Sequence, residues 1–362
     1  MRTISALILL LTLNTLYAQP DLKTRLGAFL ASRPAGQPGF TLSIEKNGEV
    51  LYSNATGLAD LDTKAPLDSL TNFRMASVTK QFTAMGILLL EKAGSLSVDD
   101  PIGRWLPELP ANLGRRILIR HLLTHSSGLL DYESLIPPSQ TTQVLDADVL
   151  HLLSQHDSTY FPPGSRFQYS NSGFCLLALI IERASKKTYP QYIHDYIFVP
   201  LHMDSSTVYE AGHHIPRRAM GYARDSSGHL IPSDQSVTSA TKGDGGVYTS
   251  LSDYARWINA LQQNTLIPLP ATLHRLQFPI SPQTYYAAGW FISLTSPQLL
   301  FHSGSTCGFA NFVIQLPGDA WTIVYFSNIA DNSGPFKTIL NILKDTGYPD
   351  LTTVFTLHDL TR

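Results

Sequence analysis

Ser77-Val-Thr-Lys80 places a hydroxyl and an amine three residues apart at the start of an apolar run, Phe82 to Leu90. The run carries no charge between Lys80 and Glu91 and stops at Gly94, so it reads as a buried helix. Residues at i and i+3 share a helix face. The reading puts Ser77 at the positive end of the helix dipole and Lys80 one turn inward. An amine in an apolar setting loses solvation of its charged form, and its pKa falls. A neutral amine beside a serine can take the hydroxyl proton and make the oxygen a nucleophile. The chemistry expected from this pair is covalent acyl transfer.

The spacing alone is weak, because Ser-x-x-Lys also occurs at Ser43/Lys46 and Ser239/Lys242. Ser43 lies in Phe40 to Tyr52, which reads as two strands around an Asn47-Gly48 turn. On a strand, positions i and i+3 face opposite sides. Ser239 precedes the loop signal Gly243-Asp-Gly-Gly246 with no helix behind it. Only Ser77 opens a helix, where the competing reading is an ordinary capping serine.

A nucleophile also needs a proton path to the leaving group and an oxyanion site. Tyr169 and Asn171 stand in a predicted loop before an apolar helix, Phe174 to Ile181. A tyrosine beside an ammonium can shuttle protons, and Asn171 can hold a substrate amide by both its donor and its acceptor. Tyr52-Ser-Asn54 has the same spacing but lies on the first hairpin. His302-Ser303-Gly304-Ser305 closes a predicted strand, where Gly304 lets a substrate come near the strand edge. The competing readings are a packing tyrosine and a satisfied strand histidine.

The elements that position these residues can also be read. A helix is predicted over Leu22 to Ala31, and a hairpin over 40–56. Strands are predicted at Ala287–Ser293, Leu299–His302, Asn311–Gln315 and Trp321–Phe326, with Pro317-Gly-Asp319 turning the last pair. A final helix spans Phe336 to Lys344. The fold class expected is α/β in the α+β sense: an antiparallel sheet from both termini flanked by helices, with an inserted, mostly helical lobe. The sheet lobe takes about residues 19–100 and 237–347, and the helical lobe about 101–236. Residues 348–362 form a tail with no clear role.

At 362 residues, 43% hydrophobic and 15% charged, the chain supports a large core. A net charge of −2 gives no nucleic-acid footprint. Residues 1–18 read as a secretory signal peptide: Arg2, an apolar stretch from Ile4 to Leu13, and Ala18 at the cut. That stretch is short for a membrane span. A secreted or periplasmic protein with no stable membrane span is expected. In such a compartment Cys175 and Cys307 could pair. The other reading is two separate core residues. His121 and His125 have i, i+4 spacing, but Leu122 follows His121 where a zinc protease needs glutamate, so no metal site is assigned. Neither a Gly-x-Ser-x-Gly elbow nor a P-loop is present.

Taken in order, Ser-x-x-Lys, Tyr-x-Asn and His-x-Gly resemble the serine β-lactamase and penicillin-binding superfamily. The separations are 169 − 77 = 92 and 302 − 77 = 225 residues. The branch it resembles holds class C β-lactamases, D-Ala-D-Ala carboxypeptidases, D-aminopeptidases and related esterases. Supporting stretches are Ile119 to Leu129, Pro162 to Gly173, and Gly245 to Ser250 before Asp253; the likeness spans about residues 25–345. It implies Ser77 as acylated nucleophile, Lys80 as base and Tyr169 as proton relay. It further implies Asn171 as substrate-amide contact and the N–H groups of Ser77 and Ser305 as oxyanion hole. His302 stands where many members carry lysine, with Ser303 keeping a hydroxyl. A neutral imidazole grips a carboxylate less well than an ammonium. The resemblance therefore implies a peptidase or esterase acting on a small-molecule or peptide substrate without a cofactor. The alternatives are a class C-like β-lactamase and a penicillin-binding sensor with slow or no turnover.

Overall fold

The computed structural model describes residues 21–330 and 333–360. The stretch read as a signal peptide, 1–18, lies outside the described residues.

The chain enters through helix α1 (Leu22–Ala31), the span read from sequence. Asp21 caps it by accepting from Thr24 N at 2.8 Å. Strands β1 (Phe40–Lys46) and β2 (Glu49–Thr56) form the first hairpin. After the central helices come β3 (Phe278–Ser281), β4 (Thr284–Ala287), β5 (Trp290–Ser293), β6 (Leu299–Thr306), β7 (Phe309–Leu316) and β8 (Trp321–Ser327). They join one antiparallel sheet in the order β2-β1-β8-β7-β6-β5-β4-β3. The two ends of the chain meet where β1 pairs with β8.

Alternation along β8 shows why this sheet is covered on both faces. Ile323 and Tyr325 pack with Leu26 and Leu30 of α1 and with Phe336 and Ile339 of the late helix Ser333–Asp345. Val324 and Phe326 point the other way, into the larger core with Phe82 and Trp257. Each such buried side chain contributes about 1.5–3 kcal/mol.

Three expectations shift. The strand expected over Ala287–Ser293 is two strands, because the chain turns at Ala288-Gly289, where Gly289 has φ of 88°. The strand expected to end at His302 continues to Thr306, so His302 to Ser305 lie within β6. The tail also has a place: Val354–Asp359 is helical, and Leu351, Val354 and Leu357 are buried in the core that holds α1.

The apolar run after Ser77 is helix α2 (Lys80–Lys92), and Asn171–Ser185 is helix α3. Both lie in the larger core. A small sheet ties residues 73–74 to 247–249 and these to 207–208. It locks the entry to the Ser77 turn against the 243–246 loop. Among the described residues no helix is long and apolar enough to cross a membrane. Cys175 is buried, Cys307 half-buried, and both are free thiols.

Candidate active site

Ser77 sits one step outside the helix, in a 3-10 turn over Ala76–Thr79, and Lys80 is the first residue of α2. Ala76 has φ of 49°, a conformation that costs a non-glycine residue energy and marks a strained turn. Lys80 is fully buried, and its Nζ lies 3.1 Å from Ser77 Oγ. The same nitrogen donates to Asn171 Oδ1 at 2.9 Å and to the Asp244 carbonyl at 3.0 Å. The amine is therefore out of water but not in the purely apolar setting that the sequence suggests. Three oxygens surround it.

The other Ser-x-x-Lys pairs are separated as expected. Ser43 donates to Glu45, and Lys242 pairs with Glu210 at 3.7 Å.

Tyr169 comes alongside. Its ring centroid is 4.9 Å from Lys80 Nζ, so the amine faces the ring and not the hydroxyl. The hydroxyl oxygen is buried without a hydrogen-bond partner. His125, to which the sequence reading assigned no metal, lies tilted against the Tyr169 ring with centroids 4.2 Å apart. Its Nδ1 accepts from Ser170 N at 3.0 Å. His121 Nδ1 likewise accepts from Leu118 N at 3.1 Å, so both imidazoles are tied to local backbone.

Asn171 is the first residue of α3, not a loop residue, and Ser170 caps the helix. Its Oδ1 takes Lys80, and its Nδ2 donates to Glu133 Oε1 at 3.0 Å. Each end of the amide thus has one partner within the protein, and one Nδ2 hydrogen and one Oδ1 lone pair remain on a side chain that lines the cleft. Glu133 carried no sequence signal. Desolvation pushes its carboxyl up, and the Asn171 bond pulls it back.

His302 is corrected as well. It is fully buried in β6. Its Nδ1 lies 2.7 Å from the Ser303 carbonyl, and its Nε2 lies 3.0 Å from Tyr286 Oη. A carbonyl only accepts, so Nδ1 carries the proton and Nε2 accepts from the phenol. Burial, with the Lys80 charge adding to it, pushes the imidazole down to about 3. The ring is walled in and cannot reach a substrate. Ser303 is also buried, with its hydroxyl 2.8 Å from His358 Nδ1 of the tail helix. It supports the strand and does not line the cleft.

A histidine held neutral in the fold destabilises the acid side. Its stabilising contribution is complete above the unfolded pKa of about 6.5 and is lost as pH falls toward the folded value near 3. Between pH 6.5 and 4.5 this amounts to about 2–3 kcal/mol. In urea melts at pH 7 and 4.5, His302→Gln should lose that much less stability than the native protein. Equal losses would show that His302 is not the group responsible.

Gly304 and Ser305 meet the nucleophile turn. β5 pairs with β6 only up to Phe301. Beyond it, β6 runs against the turn. A Cβ on Gly304 would stand 2.2 Å from the Met75 carbonyl and 3.2 Å from Ser77 N. Gly304→Ala should therefore push the turn aside. An ångström of misplacement costs about 10²-fold in rate, to be read in kcat/KM beside a thermal melt. Activity within twofold of native would contradict the close approach.

Ser305 is exposed and lines a cleft with Ser77, Arg74, Glu133, Asn171 and Asp244. Behind the cleft, Asp146 accepts from Lys242 N and Gly243 N at 2.9 and 3.2 Å and so fixes the chain that presents the Asp244 carbonyl. Burial, reinforced by the Asp244 charge, pushes the Asp146 carboxyl up to about 7.

Comparison with known proteins gives this geometry a context. Penicillin-binding protein 4* of Bacillus subtilis (strain 168) is 32% identical over 321 residues, covering 83% of this chain and 70% of that protein. Protein flp of Staphylococcus aureus (strain NCTC 8325 / PS 47) is 29% identical over 302 residues. The match covers 81% of this chain, which spans only 60% of flp. D-amino acid amidase from Ochrobactrum anthropi SV3 shares the fold, with a TM-score of 0.72 at 24% identity over 90% of this chain and 98% of that one. The family model described as Beta-lactamase matches residues 27–344. With nearly all of its described fold inside that match, the chain belongs to the beta-lactamase family.

Proposed function

We propose that this chain is an exported serine hydrolase that forms an acyl-enzyme at Ser77 and acts on D-amino-acid peptides, amides or small esters. The observation that carries this reading is the 3.1 Å approach of Lys80 Nζ to Ser77 Oγ, with Asn171 and Asp244 as the other two partners. Of these three partners only the Ser77 hydroxyl has a proton to give; the Asn171 and Asp244 oxygens can only accept, and they hold the amine in place. Ser77 Oγ then attacks the carbonyl carbon while its proton passes to Lys80. The N–H groups of Ser77 and Ser305 take the oxyanion charge. Collapse breaks the bond to the leaving group, which receives the proton back from Lys80; the Tyr169 hydroxyl, which has no hydrogen-bond partner, takes no part in this path as it stands. Water attacks the Ser77 ester and frees the acid.

Asn171 serves here by orienting Lys80. The substrate leaning follows from the cleft walls. Glu133 and Asp244 place two carboxyl groups beside Ser77, the buried Arg74 guanidinium that shares the cleft donates to Gln235 and the Ser239 carbonyl, and the imidazole that would meet a substrate carboxylate is sealed in β6. That lining suits a substrate with a free amine and opposes a carboxylate-bearing β-lactam. The D-amino acid amidase with the same fold agrees with this leaning.

The test is intact-protein mass spectrometry after incubation with a fluorophosphonate and with penicillin. A rate panel follows with D-phenylalanine amide, a D-Ala-D-Ala peptide, p-nitrophenyl acetate and nitrocefin. One fluorophosphonate adduct on the Ser77 peptide and turnover of the amide or ester are expected. No adduct would refute the acyl-enzyme. A penicillin adduct lasting hours without turnover would move the assignment to a sensor, and fast nitrocefin turnover to a β-lactamase.

A further inference from the structure

The tail helix Val354–Asp359 lies beyond residues 27–344, the span that the family model matches. It packs on β6, the strand that brings Ser305 to the cleft. Leu351, Val354 and Leu357 anchor it in the core shared with α1.

Side chains alternate along a strand, so His302 and Ser303 point to opposite faces of the sheet. His302 points to the side of Tyr286 and Tyr169. Ser303 points to the tail helix, where its hydroxyl lies 2.8 Å from His358 Nδ1. The His358 ring packs edge-on against Phe312, the cross-strand partner of Ser303, with centroids 5.3 Å apart. Ser303 is 1% exposed, so water is poorly placed to replace the bond if it is lost.

This end of β6 has need of a hold. Up to Phe301 the strand is flanked by β5 and β7, but from His302 onward only β7 pairs with it. A segment with a ladder on one side opens more readily than one laddered on both. Its open side meets the Ser77 turn, where Gly304 already fits without room for a Cβ. Ser303 and Ser305 are two residues apart on this strand, roughly 7 Å.

We propose that the tail helix clamps the active-site end of β6, and that His358 is its positioning residue, holding Ser303 and, through the strand, the N–H of Ser305. The clamp rests on packing and hydrogen bonding; its effect on rate rests on the acyl-enzyme reading. In that reading the Ser305 N–H meets charge that develops only in the transition state. A slackened strand then lowers kcat and leaves KM nearly alone.

The test uses the full chain. His358→Phe keeps a ring on Phe312 and removes the nitrogen. Ser303→Ala removes the other partner. His358→Asn carries a polar atom two bonds from Cβ, as Nδ1 is, and can remake the contact. Amide hydrogen exchange over residues 302–306 is followed beside kcat and KM for p-nitrophenyl acetate, below every melt. His358→Phe and Ser303→Ala should each speed exchange there at least tenfold and leave 321–327 of β8 unchanged. Each should lower kcat at least tenfold with KM within twofold. The double variant should be no slower than either single one, and His358→Asn should stay within threefold of native. Exchange at the native rate in both single variants overturns the clamp, whatever the enzyme turns over. Faster exchange with native kcat overturns the positioning role. So do single losses that multiply in the double variant, or a His358→Asn variant as slow as His358→Phe. A native protein that takes no fluorophosphonate would refute the acyl-enzyme instead, and exchange would still decide the clamp.

Discussion

Ser77→Ala should erase the fluorophosphonate adduct and lower hydrolysis on the order of 10⁶-fold, the loss known when a serine hydrolase is stripped of its nucleophile. The structure makes this a clean experiment. The Ser77 side chain lies in the open cleft and gives the interior one contact, the 3.1 Å approach to Lys80. Asn171 and the Asp244 carbonyl continue to hold the amine after its removal. Losing one such bond costs about 0.5–1.5 kcal/mol, so the melt should move little. Any remaining rate reports binding and oxyanion stabilisation, not acylation. An adduct of undiminished yield on the alanine variant would mean that another residue is acylated, and the whole mechanism would go with it.

Lys80→Met should slow acylation by about 10²–10⁴-fold, the contribution of a positioned general base. Methionine keeps the unbranched chain up to the position of Cε and removes only the amine, so most of the buried space stays filled. It also leaves Asn171 Oδ1 and the Asp244 carbonyl without their donor. Each unsatisfied buried acceptor costs about 1–3 kcal/mol, so a lower Tm is expected along with the slower rate. The two effects separate by stopped-flow acylation below the melt. A folded variant that acylates 10²-fold or more slowly, at a rate rising with pH, fits a missing base. A folded variant within tenfold of native would transfer the role to Tyr169 or to water.

Much of the architecture was legible because it rests on periodicity. The span Leu22–Ala31, the hairpin at Asn47-Gly48 and the buried helix behind Ser77 follow from spacing and turn residues alone. The order of Ser77, Tyr169 and His302 was readable too, since side-chain identity is what a motif records. The break at Gly289 was not, because an unbroken apolar run reads as one strand until a turn reverses it. Nor was the helix at Val354–Asp359, too short to show a period.

What the chain's letters determined, then, is which groups are available: a hydroxyl and an amine one turn apart, a phenol, an amide and a glycine-bearing strand. What the tertiary structure decided is how each is used. The carbonyl that steadies Lys80 belongs to the backbone of Asp244, and no side-chain pattern marks a backbone oxygen. Asn171 is tied into the site because Glu133 and Lys80 converge on it from segments far apart in sequence. His302 became a sealed, neutral strand residue because Tyr286 and the Ser303 carbonyl close on its two nitrogens. Burial and hydrogen-bond partners depend on what other segments bring to a position, and that is settled only when the sheet and helices pack.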